Sequence, residues 1–196
     1  NVTGSVRLEG RQVVLRNPGE AIAHGLAYVP EDRQHHGAHL TLPIMQNMTL
    51  PILSRFGFFV RARAESALAR RFAEQLELKA AHLTQHVAEL SGGNQQKVVL
   101  GKWLATDPKV IILDEPTKGI DIGSKAAVHR FVSGLVERGL SVILVSSELP
   151  EVLGLADRVV VMRHGRVVRE FTRAEATPET VVAAASGVDL GLEAAS

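Results

Sequence analysis

The chain contains no cysteine among its 196 residues. Structural disulfides and thiolate metal sites are therefore excluded, which is compatible with a reducing compartment without proving one. It also lacks a long apolar run. Its hydrophobic stretches fall far short of the roughly 20 residues that span a bilayer, and no basic-then-apolar segment opens the sequence. A membrane role would have to come through a partner. Charge of one sign is missing too: the net charge is +1 with 22% charged residues, unlike the strongly basic domains that bind nucleic acid. What is present is 45% hydrophobic residues, enough for a real core, in a length that suits one domain or one domain plus a lobe. The sequence starts at Asn1, directly in a strand-like pattern, and reads as a piece of a longer polypeptide.

Along the chain, residues 5–16 read as a hairpin with Gly10-Arg11 at the turn. Residues 18–24 suit a short helix with Pro18 near its start. Leu26 to Val29 is a short apolar strand that stops at Pro30 and enters a polar loop from Glu31 to Gly37. Residues 44–53 mix helix and loop between Pro43 and Pro51. From Arg61 to Ala81 the pattern is helical, with Leu68, Phe72 and Leu76 making one apolar stripe. That stripe fits packing in a lobe better than a membrane face, which would want a basic polar side with aromatic anchors. A helix is expected from near Gly93 to Ala105, with Trp103 in the core. The chain then alternates as βαβ: a strand at 110–113, a helix at 124–138 capped by Gly139, and a strand at 141–146. Such continuous apolar strands suit a parallel sheet covered on both faces. A hairpin across His164-Gly165 and a helical tail from Thr172, fraying by Gly187, complete the pattern.

Two stretches carry chemistry. Leu90-Ser91-Gly92-Gly93-Asn94-Gln95-Gln96-Lys97 is a glycine turn opening a helix. A helix N-terminus offers unpaired N–H groups and partial positive charge, two glycines let an anion approach the backbone closely, and the Ser91 hydroxyl adds a donor. A terminal phosphate suits it. Ser-Gly-Gly by itself is more commonly a plain cap; the full octet and its neighbour shift the balance. That neighbour is Val110-Ile111-Ile112-Leu113-Asp114-Glu115-Pro116, a strand ending in two carboxylates. Asp114 at a sheet's C-terminal edge can hold hydrated Mg²⁺, and Glu115 can orient an attacking water. The bland alternative is a pair of solvated acids.

In this order and spacing the two stretches resemble the signature motif and Walker B segment of an ATP-binding cassette (ABC) ATPase. Residues 25–175 look like the second nucleotide-binding domain of a fused monosaccharide importer ATPase of the ribose, galactose and xylose type. The likeness is carried by Ala27-Tyr28-Val29-Pro30-Glu31-Asp32-Arg33, Leu90 to Lys97, Asp114 to Asp121, Val145 to Leu153, and Phe171-Thr172-Arg173. It implies an α/β, P-loop NTPase-like fold with a parallel sheet core and a helical signature lobe at about 42–105. The partial nucleotide-binding domain would occupy 1–175 and a helical tail 176–196. It implies ATP and Mg²⁺ as cofactors. Ser91, Gly92, Gly93 and Asn94 would face the γ-phosphate held by an opposite domain. Asp114 would be the Mg²⁺-associated residue, Glu115 the catalytic base, and Asp121 the aspartate that reaches across the dimer interface. Glu31 falls where a metal-site Gln is usual and Ser147 where a switch histidine is usual. Both departures suggest a weak or non-hydrolytic site in this domain.

The implied partners are a membrane permease, a second nucleotide-binding domain in the same polypeptide and, indirectly, an extracytoplasmic sugar-binding protein. The implied place is the cytoplasmic face of the membrane. The pattern G-x-x-x-x-G-K-[ST] of a P-loop occurs nowhere in the 196 residues. Gly119 to Lys125 only imitates it: its glycine spacing is short and its Ser precedes its Lys. The break in the chain is expected just downstream of a P-loop. A non-catalytic interaction module that keeps the signature surface is the alternative, and an ABC ATPase of DNA repair or translation a third, disfavoured by the near-neutral charge. His35, His36 and His39 read as a solvated loop, since a metal site needs three or four converging ligands.

Overall fold

The computed structural model describes residues 4–56 and 62–187. The start of the expected 61–81 helix, residues 1–3 near the expected P-loop break, and the tail 188–196 lie outside them. The described chain divides into two units, 1–143 and 144–196.

In the first unit, β1 (Val6–Leu8) and β2 (Arg11–Val13) pair antiparallel with Leu8 opposite Arg11. The turn is therefore Glu9-Gly10, one residue earlier than the sequence suggests. Both have positive φ, 51° and 76°, the type I′ geometry whose twist matches a hairpin. Helix α1 (Pro18–Ala23) follows an Asn17 cap whose side chain accepts from the Glu20 N–H at 2.9 Å.

Strands β3 (Leu26–Val29), β4 (Val110–Asp114) and β5 (Ser141–Val145) form one sheet in that order, and β3 and β4 are parallel with Val29 opposite Leu113. Ala27, Val29, Ile111 and Leu113 share a face and are buried. The expected cover on both faces is not found. On the other face Tyr28 is 46% exposed and Ile112 only half-buried, and Ile143 of β5 is 52% exposed. Among the described residues, cover is one-sided there.

The lobe comprises α2 (Ile44–Thr49), a 3-10 turn (Leu50–Phe56), α3 (Ala62–Gln75) and α4 (Gly92–Leu104). Ile44, Met48, Ile52, Ala69, Phe72 and Leu76 are buried in it, each such side chain contributing about 1.5–3 kcal/mol where it is large. Leu68 is only half-buried; the buried row of α3 is Glu65, Ala69 and Phe72, with Glu65 accepting a 2.6 Å hydrogen bond from the buried Thr49 hydroxyl. Helix α3 ends six residues before the sequence pattern does. Its last turn closes with Leu78 N–H donating to the Ala73 carbonyl and Glu77 N–H to that of Glu74, around Glu77 at φ 50°, a Schellman end.

Helix α4 is the hub. It contacts α2, α3, β3 and α5 (Ile122–Glu137), and Val98, Val99 and Leu100 are fully buried. Trp103 is half-buried rather than a core residue. Two lysines on α4 reach carbonyls that would otherwise lack donors: Lys97 Nζ donates to Glu77 O at the end of α3 (2.8 Å) and Lys102 Nζ to Gly37 O (2.9 Å). Burial pushes both amines below the ordinary lysine range. Gly37 closes a π-helical turn, Arg33–Gly37, where the sequence suggests only a loop. Asp32 caps that turn, accepting from the Gln34 and His35 N–H groups at 3.0 Å each.

In the second unit, β6 (Arg158–Arg163) and β7 (Arg166–Thr172) form the expected hairpin across His164-Gly165, at φ 49° and 74°. Val159, Val161 and Phe171 pack with Val181 of α7 (Pro178–Ser186), supported by Leu149, Val152 and Leu153 of α6 (Leu149–Leu155), a helix the sequence reading did not separate. Helix α7 has a Thr177/Thr180 capping box and stops at Gly187, φ 78°. Among the described residues no helix is long and apolar enough to cross a membrane.

Candidate nucleotide site

Ser91 is the N-cap of α4, with extended backbone (φ −61°, ψ 155°), yet its side chain makes no capping hydrogen bond. Its Oγ instead accepts from Asn94 Nδ2 at 3.0 Å, and Asn94 Oδ1 accepts from the Lys79 N–H at 3.0 Å. Both ends of the Asn94 amide are thus used inside the chain, and the exposed Ser91 hydroxyl keeps its own proton to donate. The first N–H groups of α4 receive no side-chain cap from Ser91. An uncapped helix start with a donor-oriented hydroxyl favours an anion.

The two glycines after it serve different neighbours. A Cβ on Gly92 would stand 2.7 Å from Arg33 Nη2. A Cβ on Gly93 would overlap Ser124 Oγ and lie 2.7 Å from Ser124 Cβ. Gly93 is therefore a point of close approach between α4 and α5, a packing requirement that the sequence pattern does not reveal.

Strand β4 delivers Asp114 to the C-terminal edge of the sheet. Its Oδ2 accepts from Tyr28 OH at 2.8 Å, because Tyr28 lies one strand over on β3, opposite Ile112. This bond, then burial, then the charges of Asp114 and Glu31 raise the Tyr28 phenol above its ordinary value of 10.0. Glu115 has φ 46°. A left-handed non-glycine residue costs about 1–3 kcal/mol and is retained where surroundings impose it, which happens most at functional sites. The Lys118 N–H donates to the Glu115 carbonyl at 3.1 Å, closing the turn after the two carboxylates.

Glu31 follows β3 and pairs with Lys118, Nζ to Oε1, at 2.6 Å. Both side chains are at least half exposed, so the pair is worth little net stability, but it opposes a cation to the extra carboxylate. The hydrogen bond to Glu31 raises the Lys118 amine. Asp121 is the N-cap of α5: Oδ1 accepts from Ser124 N–H (2.9 Å) and Oδ2 from Ser124 Oγ (2.7 Å). These two bonds, the hydroxyl's first, hold its carboxyl below the usual range. Ser147 is exposed and belongs to the second unit.

The first unit carries Glu31, Ser91, Gly92, Gly93, Asn94, Asp114, Glu115 and Asp121, and contacts tie Glu31 to Lys118, Gly92 to Arg33 and Gly93 to Ser124 beside Asp121. Sequence reasoning missed Tyr28, Arg33 and Lys118, although all three stand inside the quoted stretches. As a magnesium site the donor set fits in part. Among the described residues no three His, Cys, Asp or Glu side chains converge as a cage. One carboxylate, water and phosphate oxygens are the usual company of Mg²⁺, and Asp114 with one oxygen fixed by Tyr28 suits that. His35 Nδ1 lies 2.7 Å from Asp32 Oδ2 on the exposed turn.

A parallel sheet whose strand ends in Asp-Glu, beside a helix opened by Ser-Gly-Gly, defines the class of nucleotide-binding cassettes. The chain belongs to the ABC transporter family, whose profile matches residues 1–118. It is similar to the ribose import ATP-binding protein RbsA 2 of Rhizobium johnstonii, 60% identical over 95% of this chain and 37% of that protein. It is similar also to RbsA 1 of Rhizobium meliloti, 59% identical with the same coverage. A putative ribose/galactose/methyl galactoside import ATP-binding protein of Rhizobium etli is 48% identical over 94% of the chain and 36% of its own length. The chain therefore spans just over a third of the length of these relatives. Among solved structures, a nucleotide-free ATP-binding cassette from an ABC transporter superposes with a TM-score of 0.77 at 21% identity, covering 93% of this chain and 76% of that one. A dimeric cassette in a post-hydrolysis state with ADP and Pi gives 0.75 at 20%, covering 87% and 74%. At such identity the likeness shows the fold.

Proposed function

We propose that this chain is part of the ATP-binding subunit of a sugar ABC importer, and that its α4 N-terminus completes an ATP site whose phosphates are gripped by another nucleotide-binding domain. The observation that carries the proposal is the state of that helix start: an uncapped set of N–H groups beside a Ser91 hydroxyl left as a donor by Asn94. Ser91, Gly92 and Gly93 contact the γ-phosphate, and Asn94 orients Ser91. Asp114 holds Mg²⁺ through water, Glu115 positions or activates the attacking water, and Asp121 reaches toward the partner domain. Bound Mg²⁺ supplies charge neutralisation at the phosphates. Relatives carry ribose import in their names, so ribose is the first sugar to test. The working assembly includes a membrane permease and a sugar-binding protein, with this subunit peripheral at the cytoplasmic face.

The domain's own hydrolytic site is the weaker one. Glu31 brings a charge where a neutral amide is usual, and Ser147 cannot reach as an imidazole does. In the full-length protein assembled with its permease, Ser91→Ala combined with Gly92→Ala is expected to lower ATPase on the order of a hundredfold, the usual loss when an oriented donor to developing charge is removed. Normal ATPase in that variant overturns the proposal.

A further inference from the structure

Arg33 touches segments assigned to two different nucleotides. Its Nη1 donates to the Lys118 carbonyl at 2.9 Å and its Nη2 to the Gly119 carbonyl at 3.3 Å. These two residues come three and four positions after Glu115, and Gly119 is at φ 66°, so the carbonyl Arg33 holds depends on a left-handed backbone. The same Nη2 fills the space that a side chain on Gly92 would take, 2.7 Å from the Cβ position. Its Nε is buried with no hydrogen-bond partner. The π-turn that carries Arg33 is fixed at both ends, by the Asp32 cap at its start and by Lys102 Nζ on Gly37 O at its finish, where Val99 Cγ2 lies 3.1 Å from the Cβ position of Gly37. The guanidinium therefore stands on a rigid base.

We propose that Arg33 is a positioning residue: it locks the turn behind the Asp114-Glu115 carboxylates to the phosphate-facing start of α4, so that the two half-sites on this chain hold one geometry and move together. The planar fork matches two successive carbonyls, which a single ammonium cannot do. Gly92 consequently has a second task besides admitting an anion, namely leaving room for Arg33. The inference rests on the reading of α4 given under the proposed function.

The test uses the full-length ATPase with its permease in vesicles, with steady-state hydrolysis followed against ATP concentration. Arg33→Met keeps much of the apolar stem and removes the fork; it is expected to lower kcat about tenfold with KM for ATP within about twofold. Arg33→Lys is expected not to restore kcat. In a double-mutant cycle, Gly92→Ala is expected to cost at least about threefold less in the Arg33→Met background than in the parent, because the clash is already gone. Unchanged kcat in Arg33→Met, recovery in Arg33→Lys, or strict additivity with Gly92→Ala overturns the proposal. Should Arg33→Met fail to fold, the Arg33→Lys result decides alone, full activity counting against it. Ser91→Ala, which does not touch Arg33, separates the two ideas. Full activity there sinks the α4 reading, whereas a loss there with an unaffected Arg33→Met sinks only the role of Arg33.

Discussion

Tyr28 and Asp114 are 86 positions apart, and their hydrogen bond is the clearest case of a contact that only the sheet creates. Tyr28 is also the one tyrosine of the chain, so tyrosinate absorbance reports it without ambiguity. Its midpoint is expected above the ordinary 10.0, because ionising the phenol breaks its donation to Asp114 and places two negative charges together. In Asp114→Asn the midpoint is expected to fall back toward 10.0; an unchanged midpoint would show that Asp114 is not the cause. Two exposed carboxyls give the opposite sign. Asp32 is held below the usual range by its bonds to His35, and Asp121 by those to Ser124. Each favours the folded state above the unfolded value of about 3.9, and that contribution is lost as pH falls through the lower folded values. Urea unfolding between pH 5 and 2.5 is expected to show a shallower acid loss in Asp32→Asn and in Asp121→Asn than in the parent chain. The residues of the candidate site were legible where chemistry is written in adjacent letters, as in Ser91-Gly92-Gly93 and Asp114-Glu115. Their supports were not, because Tyr28, Arg33 and Lys118 meet those letters only through strand pairing and a turn.

Helices were legible where their ends use glycine. Helix α5 and helix α3 finish in the same way. In α5 Leu140 N–H donates to the Leu135 carbonyl and Gly139 N–H to that of Val136. In α3 the equivalent αL position is Glu77, which no sequence rule marks, and the apolar repeat through Leu76 and Leu78 runs on past the true end. The π-turn at Arg33–Gly37 was hidden for a related reason: its start is an Asp32 cap and its end is secured by Lys102, from 65 residues away. Within the lobe, the entry to α2 depends on Asn47, which is fully buried. Its Nδ2 donates to the carbonyls of His39, Leu42 and Pro43 at 2.9–3.2 Å, and its Oδ1 accepts from the His39 N–H at 2.8 Å. The three carbonyls also accept from the backbone N–H groups of Leu42, Val87 and Asn47, so Asn47→Ala takes the partner from the His39 N–H and is expected to cost about 1–3 kcal/mol by denaturant titration. A loss below roughly 0.5 kcal/mol would mean that the 39–43 segment is held by other contacts.

The chain has an ABC fold in which, among the described residues, Tyr28 and Ile143 stand exposed on one sheet face, and it spans 37% of its ribose import relatives. The fold class was readable from the βαβ alternation and the order of the motifs, whereas the exposure of Tyr28 and Ile143 was not, because apolar strand letters report what a sheet prefers to bury and not which neighbours lie over it. As proposed above, these residues form part of a nucleotide site, with the anion-facing helix start and the metal-side carboxylates; the P-loop pattern, whose lysine and amides provide most of the phosphate grip in these folds, does not occur in the 196 residues. Calorimetric titration of MgATP into the chain of 196 residues tests this most directly. No saturable binding in the micromolar range is expected; a micromolar dissociation constant for MgATP on this chain alone would show that these residues grip the phosphates unaided.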